Sequence, residues 1–194
     1  MTEGAAKLSQ ARRLLLDAYR RDAATEWIQA TGRSMLPLVR PGTWMLVEFG
    51  VSPERIGEIV LFSRDGIFVA HRVVARRVEG DATLLVTKGD GEAYREAPLE
   101  TGAVAGVVRG LALDPEGAAV SLGCAGLSGR AIASISNVSG RGAALARRVA
   151  VHLPDPARRS VLDAGAALAR VASRGAAYPV ALVAQHHLRS RGRG

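Results

Sequence analysis

Three residues in this chain have the types and the order that serine-based acyl transfer requires. Ser34 lies in Gly32-Arg33-Ser34-Met35-Leu36-Pro37, between turn-forming residues and just ahead of Arg40-Pro41-Gly42 and an apolar run. That placement presents a hydroxyl at the mouth of a strand instead of burying it within one. His71 lies in Val69-Ala70-His71-Arg72-Val73-Val74, and Asp90 in Thr87-Lys88-Gly89-Asp90-Gly91. A serine hydroxyl is a weak nucleophile until a neighbouring base takes its proton, and an imidazole that is neutral near pH 7 is such a base. A carboxylate on the second ring nitrogen holds the tautomer and stabilises the imidazolium that forms.

Each of the three also has an ordinary structural reading. Ser34 alone reads as a surface serine in a loop, His71 as a satisfied core histidine, and Asp90 as a turn residue capping its own backbone. Period two along the strand puts Ile67, Val69, His71, Val73 and Ala75 on one face, so the imidazole points with the apolar set. A lysine base is the other way to activate serine, but the only lysines are Lys7, far upstream, and Lys88, beside the turn. Histidine is the better base on this pattern. Metal chemistry fits poorly, because His152, His186 and His187 stand without other ligands at metal spacing and Cys124 is the single cysteine.

The elements that must position these residues separate into three stretches. Residues 5 to 29 place Leu8, Ala11, Leu15, Ala18 and Tyr19 at near-helical spacing, which predicts an amphipathic helix on the flank of the domain. There is no room before Gly32 for the second helix of a helix-turn-helix. From Gly32 to about Leu122 the texture changes to short β-branched and aromatic runs divided by Gly, Pro and Asp. Strands are expected at Thr43–Phe49, Glu58–Phe62, Ile67–Val78, Ala82–Thr87 and Val104–Leu113, with a hairpin at Asp65-Gly66 and a turn at Asp114-Pro115-Glu116-Gly117 leading into 118–122. Crossover helices are missing, so the expected fold is mainly β, a coiled antiparallel sheet or partial barrel. Beyond Gly129 the pattern turns helical and alanine-rich, with helices expected over Arg141–Leu153 and Asp155–Ser173, the second capped by Asp155 with Pro156 at its first position. The expected organisation is an N-terminal helix over 1–30, a β domain over 31–122 and an Arg/Ala-rich helical extension over 123–194.

The successive stretches Gly32-Arg33-Ser34-Met35-Leu36-Pro37, Arg40-Pro41-Gly42, Ile56-Gly57-Glu58-Ile59-Val60-Leu61-Phe62, Ala70-His71-Arg72-Val73, Thr87-Lys88-Gly89-Asp90 and Ala105-Gly106-Val107-Val108 resemble the boxes of the signal peptidase I and self-cleaving repressor superfamily. The order and spacing cover roughly Thr31 to Gly110. The His-Arg-Val box is similar to the serine-histidine branch of that superfamily, whereas the other branch uses a serine-lysine dyad. The resemblance implies a β fold of the signal-peptidase type with a hydrophobic groove beside the serine, and cleavage of an extended segment after small residues. It implies Ser34 as nucleophile, His71 as general base, Asp90 as supporting acid and the Ser34 N–H as oxyanion donor, with Met35 and Pro37 shaping the substrate groove and the turn. The chain departs from the pattern at Thr43, where an acidic residue is usual, and at Glu58, where aspartate is usual. Glu96 stands where that branch commonly has a second aspartate.

Composition bounds the partners. At 194 residues with 48% hydrophobic content, the chain is long enough for one core and an appendage. The net charge of +8 comes almost wholly from arginine, yet aromatic content is 4%, which argues against a stacking platform for nucleic acid. Residues Met1 to Arg21 have no apolar core of signal-peptide length, and later apolar stretches are broken by charge before they reach the roughly 18 residues that span a bilayer. The expectation is therefore a cytoplasmic, cofactor-free serine endopeptidase acting on a protein or precursor peptide. No transmembrane helix is expected, while the basic helical tail leaves room for peripheral membrane contact. The alternative from another class is a peptidase-fold binding or regulatory module without turnover.

Overall fold

The computed structural model of the protein describes residues 18–19, 21–64, 67–116, 120–121, 127–151 and 154–191, with side chains omitted at 120–121, 127–129, 149, 180 and 182–191. Among the described residues, eight strands form one antiparallel sheet: β1 (Thr25–Gln29), β2 (Trp44–Phe49), β3 (Ile59–Arg64), β4 (Ile67–Glu79), β5 (Ala82–Lys88), β6 (Leu99–Glu100), β7 (Val104–Ala112) and β8 (Val120–Ser121). Seven of them run in the order β1-β2-β7-β3-β4-β5-β6, and β8 pairs with β7 off that path. The sheet is open, with β1 and β6 at its ends. Two helices follow, α1 (Leu127–Ala150) and α2 (Asp155–Arg191).

The centre of the sheet is buried on both faces. In β3, Ile59, Val60, Leu61 and Phe62 are all buried, and in β7 only Arg109 is partly exposed. Alternate residues supply separate clusters. Ile59 and Leu61 pack with Met45, Val47, Phe49 and Leu111, while Val60 and Phe62 pack with Val73, Leu85 and Val107. A strand covered on both sides reads as a continuous apolar run, which is why these segments lack the polar alternation of a half-exposed sheet. Burying each such side chain contributes about 1.5–3 kcal/mol of transfer free energy.

The central strands lie close to the ranges expected from the sequence, and the mainly β, antiparallel class with a C-terminal helical extension is what the chain adopts. The Asp65-Gly66 turn lies outside the described residues, but β3 and β4, which it joins, pair antiparallel with Arg64 opposite Ile67.

The chain's start is a correction. Of the helix expected over 5–29, the described residues Ala18, Tyr19 and Arg21 are helical, and residues 25–29 instead form β1, which pairs with β2 and sets Trp27 opposite Leu46. The helical turn ends at Ala23, whose φ of 44° lies in the left-handed region, and the Ala24 N–H closes back on the Tyr19 carbonyl at 3.1 Å. That arrangement is a helix C-terminus normally made with glycine. Beyond it, Thr25, Trp27 and Ile28 are strand formers, and β2 gains the backbone partner that its outer edge lacks. The sheet thus begins before residue 31.

Both C-terminal helices are longer than their periodicity suggested, because alanine-rich sequence places no strong apolar stripe to mark the ends. α1 begins at Leu127 rather than Arg141, and α2 continues through Pro179 to Arg191 rather than stopping at Ser173. The Arg158 N–H donates to the Pro154 carbonyl, so Asp155 sits in the first turn and not at the cap. Ala133 of α1 packs on Val74 and Val86 of the sheet, and Ala181 of α2 joins the larger core cluster.

Gly106 is required by a close strand approach. A Cβ there would lie 2.5 Å from the Glu48 carbonyl oxygen and 3.0 Å from the Phe49 Cα, both backbone atoms that cannot swing aside. Gly106→Ala is expected to destabilise the fold by about 1–3 kcal/mol, read as a lowered urea midpoint with unchanged slope.

Candidate active site

Ser34 sits in a tight loop pinned from below. Met35, Leu38 and Val39 are buried in the core, and the Leu36 and Val39 N–H groups donate to the Arg33 and Met35 carbonyls at 3.2 and 3.0 Å. Ser34 itself is half-buried. Its carbonyl accepts a 2.7 Å hydrogen bond from the Gly91 N–H, which ties the serine loop to the turn after β5. Among the described residues the Ser34 N–H donates to no backbone carbonyl, leaving it available to an oxyanion.

The same turn brings the histidine in. A Cβ on Gly89 would lie 2.5 Å from the Ser34 carbonyl oxygen and 3.1 Å from His71 Nε2, so both residues crowd one point that only glycine vacates. The Ser34 carbonyl and His71 Nε2, distant in sequence, both lie against Gly89. Among the described residues no hydrogen bond joins the Ser34 hydroxyl to His71; in unliganded enzymes that bond is often long and tightens when substrate binds.

His71 is 4% exposed, on β4 opposite Val60 of β3, and its ring meets Phe62 edge-on at 5.9 Å between centroids. Its Nδ1 is 3.3 Å from Glu96 Oε1 but is not aligned for a hydrogen bond. Burial pushes the imidazole below its ordinary value of 6.5, Glu96 pulls it upward, Arg64 lowers it again, and Asp90 and Lys88 act more weakly in opposite senses. Burial thus favours the neutral ring, the form a general base needs. Arg64 pairs with the other Glu96 oxygen, and the Glu96 N–H is anchored on the Thr87 carbonyl at 2.8 Å.

Asp90 occupies a different place from the one its order in the sequence suggested. Its carboxylate is fully buried and accepts two hydrogen bonds from Arg72, at 2.9 Å from Nε and 2.6 Å from Nη2. Arg72, 1% exposed, also donates to the Gly57 carbonyl at 2.7 Å. Residues 71 and 72 point to opposite sides of β4, so the aspartate that meets Arg72 is not the carboxylate against His71 Nδ1. Glu96 has that position. The signal in the sequence was its spacing after Gly89-Asp90, but only the course of the loop after β5 could choose between the two acids.

The remaining expected residues divide likewise. Met35, together with Ile28, Met45, Leu61 and Phe68, lines an apolar cleft of about 420 Å³ that also includes Ser34. Pro37 stays in the turn, outside that lining. Glu58 and Thr43, the departures from the family pattern, are structural. Glu58 accepts from the Arg55 N–H at 2.7 Å and from Arg109 at 2.9 Å, and Thr43 accepts from the Arg40 N–H at 3.3 Å. No cluster of metal-ligating side chains occurs among the described residues, and no helix there is long and apolar enough to cross a membrane. Cys124 and His152, and the side chains of His186 and His187, lie outside the described residues.

Lys88 is fully buried and donates to Ser173 Oγ of α2 at 2.6 Å, which in turn shares a 2.9 Å contact with Ser139 Oγ of α1. Its ammonium is therefore committed to the helices. Burial pushes Lys88 down to about 8, with Asp90 and Glu92 opposing, from an ordinary value of 10.5. Between those values the unfolded chain binds a proton that the folded chain does not, so stability attributable to Lys88 rises with pH across that window. Urea titrations at pH 7.5, 9 and 10.5 should show this rise in the wild type and a flatter profile in Lys88→Met. Asp90→Ala, which strands the buried Arg72 guanidinium, should cost about 3–5 kcal/mol in the same assay.

Compared with protein families, curated proteins and solved structures, the chain matches none of them.

Proposed function

We propose that this protein is a serine endopeptidase of the signal-peptidase type, serine-histidine branch, that cuts an extended peptide after small residues. The observation that carries the reading is the convergence of the Ser34 loop and His71 Nε2 on Gly89, beside an apolar cleft that Ser34 itself lines. In the proposed reaction the Ser34 hydroxyl attacks the scissile carbonyl carbon while His71 Nε2 takes its proton. The Ser34 N–H stabilises the oxyanion, and Glu96 stabilises the imidazolium through the Nδ1 side. His71 then returns the proton to the leaving amine, and water hydrolyses the acyl-enzyme with His71 again as base. Small residues before the bond are what the resemblance implies, and the cleft's apolar walls suit an extended substrate segment.

A second reading is a module that holds a peptide in this cleft without cutting it. It is favoured by the lack of a hydrogen bond between the Ser34 hydroxyl and His71, and Ser34→Ala would then leave its function intact.

The test is acylation by a serine-directed penem probe, followed by intact mass on folded wild type, Ser34→Ala, His71→Ala and Glu96→Gln. Labelling of wild type is expected, with none in Ser34→Ala and a loss of about 10²-fold or more in rate for His71→Ala. The wild-type rate should fall on acidification with a midpoint below 6.5, since burial disfavours the imidazolium. Glu96→Gln should label more slowly and shift that midpoint lower still, because it removes the carboxylate that favours His71 protonation and leaves Arg64 unopposed. Absence of labelling in folded wild type would transfer the assignment to the peptide-binding module.

A further inference from the structure

A second cleft lies on the helical side of the sheet and has nothing to do with the serine loop. It is open to solvent, has a volume of about 540 Å³ and is walled by Arg77 of β4, Tyr94, Arg95 and Pro98 of the loop after β5, and Arg147 and Arg148 of α1. That volume falls within the range of small-molecule sites. Glu96 also lines it, but its carboxylate faces Arg64 and His71. Among the described residues no ion pair engages Arg77, Arg95, Arg147 or Arg148.

Like charges gathered in one concavity repel, and low-dielectric walls strengthen that repulsion. At Arg95 burial comes first, and then Arg141 and, of the cleft's own residues, Arg77 lower its affinity for a proton. Its side chain is nonetheless held in place. Nη1 donates to Asn137 Oδ1 of α1 at 3.1 Å, and its stem crosses the helix at Gly140, where a Cβ would lie 2.9 Å from Arg95 Cγ. A guanidinium fixed by a neutral amide, with a glycine gap cut for its stem, is pre-organised for an anion from outside the chain.

We propose that this cleft binds a small soluble phosphate-bearing anion through Arg77, Arg95, Arg147 and Arg148. Guanidinium forks match phosphate oxygens in pairs, which suits phosphate better than a spherical halide. A cleft of this size whose lining holds one aromatic ring, rather than a long stripe interleaved with aromatics, favours a small molecule over a nucleic-acid strand. Tyr94, Pro98 and Val151 give the cleft an apolar side on which an organic body can rest.

The experiment is isothermal titration calorimetry of the full chain with inorganic pyrophosphate and, separately, ADP, at fixed ionic strength without divalent metal. Binding needs no turnover, so wild type and Ser34→Ala should behave alike, and the result stands apart from the peptidase reading. One-to-one binding is expected, weakened at least about tenfold by the double variant Arg147→Gln/Arg148→Gln and unchanged by Arg158→Gln/Arg159→Gln, the same loss of two charges at exposed positions of α2 outside the cleft. Tighter binding of ADP assigns the ligand to organic phosphates, and equal binding to inorganic ones. Failure of the wild type to bind either probe overturns the proposal, as does affinity that the double variant retains or binding confined to oligonucleotides. Arg77→Gln, on the strand side, repeats the comparison without altering the helix.

Discussion

Arg72 and Asp90 face each other with essentially no contact with water, and the geometry of the candidate site rests on that pair. Moving either charge into the interior costs several kcal/mol, which only a close, fully hydrogen-bonded partner offsets. Both carboxylate oxygens and the planar guanidinium are used, and the Gly57 carbonyl takes a further donor. The pair fixes the turn after β5 against β4. From that turn Gly91 reaches the Ser34 carbonyl, and Gly89 leaves the space in which the serine loop and His71 meet. A structural ion pair thus sets where the candidate nucleophile and base lie relative to the turn.

The acidic residues around it have separate roles set by burial. Asp90 is wholly enclosed and committed to Arg72, whereas Glu96 retains some exposure and faces Nδ1 of His71 with Arg64 on its other side. Glu58 and Glu48 hold Arg109 on the neighbouring strands. In the proposed reaction a carboxylate beside His71 would benefit from partial solvation, because it would meet a charge that appears and disappears. A structural pair benefits from the opposite.

The helices are joined to the sheet by polar as well as apolar contacts. Alanine gives close approach but little transfer free energy per residue, and the Lys88–Ser173–Ser139 chain and the Arg95–Asn137 bond add specific registration. Lys88 immediately precedes Gly89, so the docking of α2 bears on the turn that receives Ser34 and His71. The arginine cleft is formed by the same docking. Removing the helices would therefore dissolve one candidate site and loosen the other.

Much of the β domain was legible in the chain itself. Short apolar runs at 59–62 and 104–108, rich in β-branched residues and divided by Gly, Pro and Asp, suit strands, and the Ser34, His71 and Asp90 stretches stood out because turn chemistry and strand period are local properties. β1 was not legible. Residues 25–29 are too few to outvote a helical pattern before them, and their strand state depends on the open edge of β2 and on a left-handed Ala23 that no local rule anticipates. The choice of Glu96 over Asp90 was equally out of reach, since two carboxylates a few residues apart have the same chemistry until burial and a buried arginine distinguish them. The strand-forming segments and the candidate nucleophile and base follow from local pattern alone. Which acid faces the histidine, and where the arginines converge, depends on contacts between segments far apart in the chain, and so emerges with the folded arrangement.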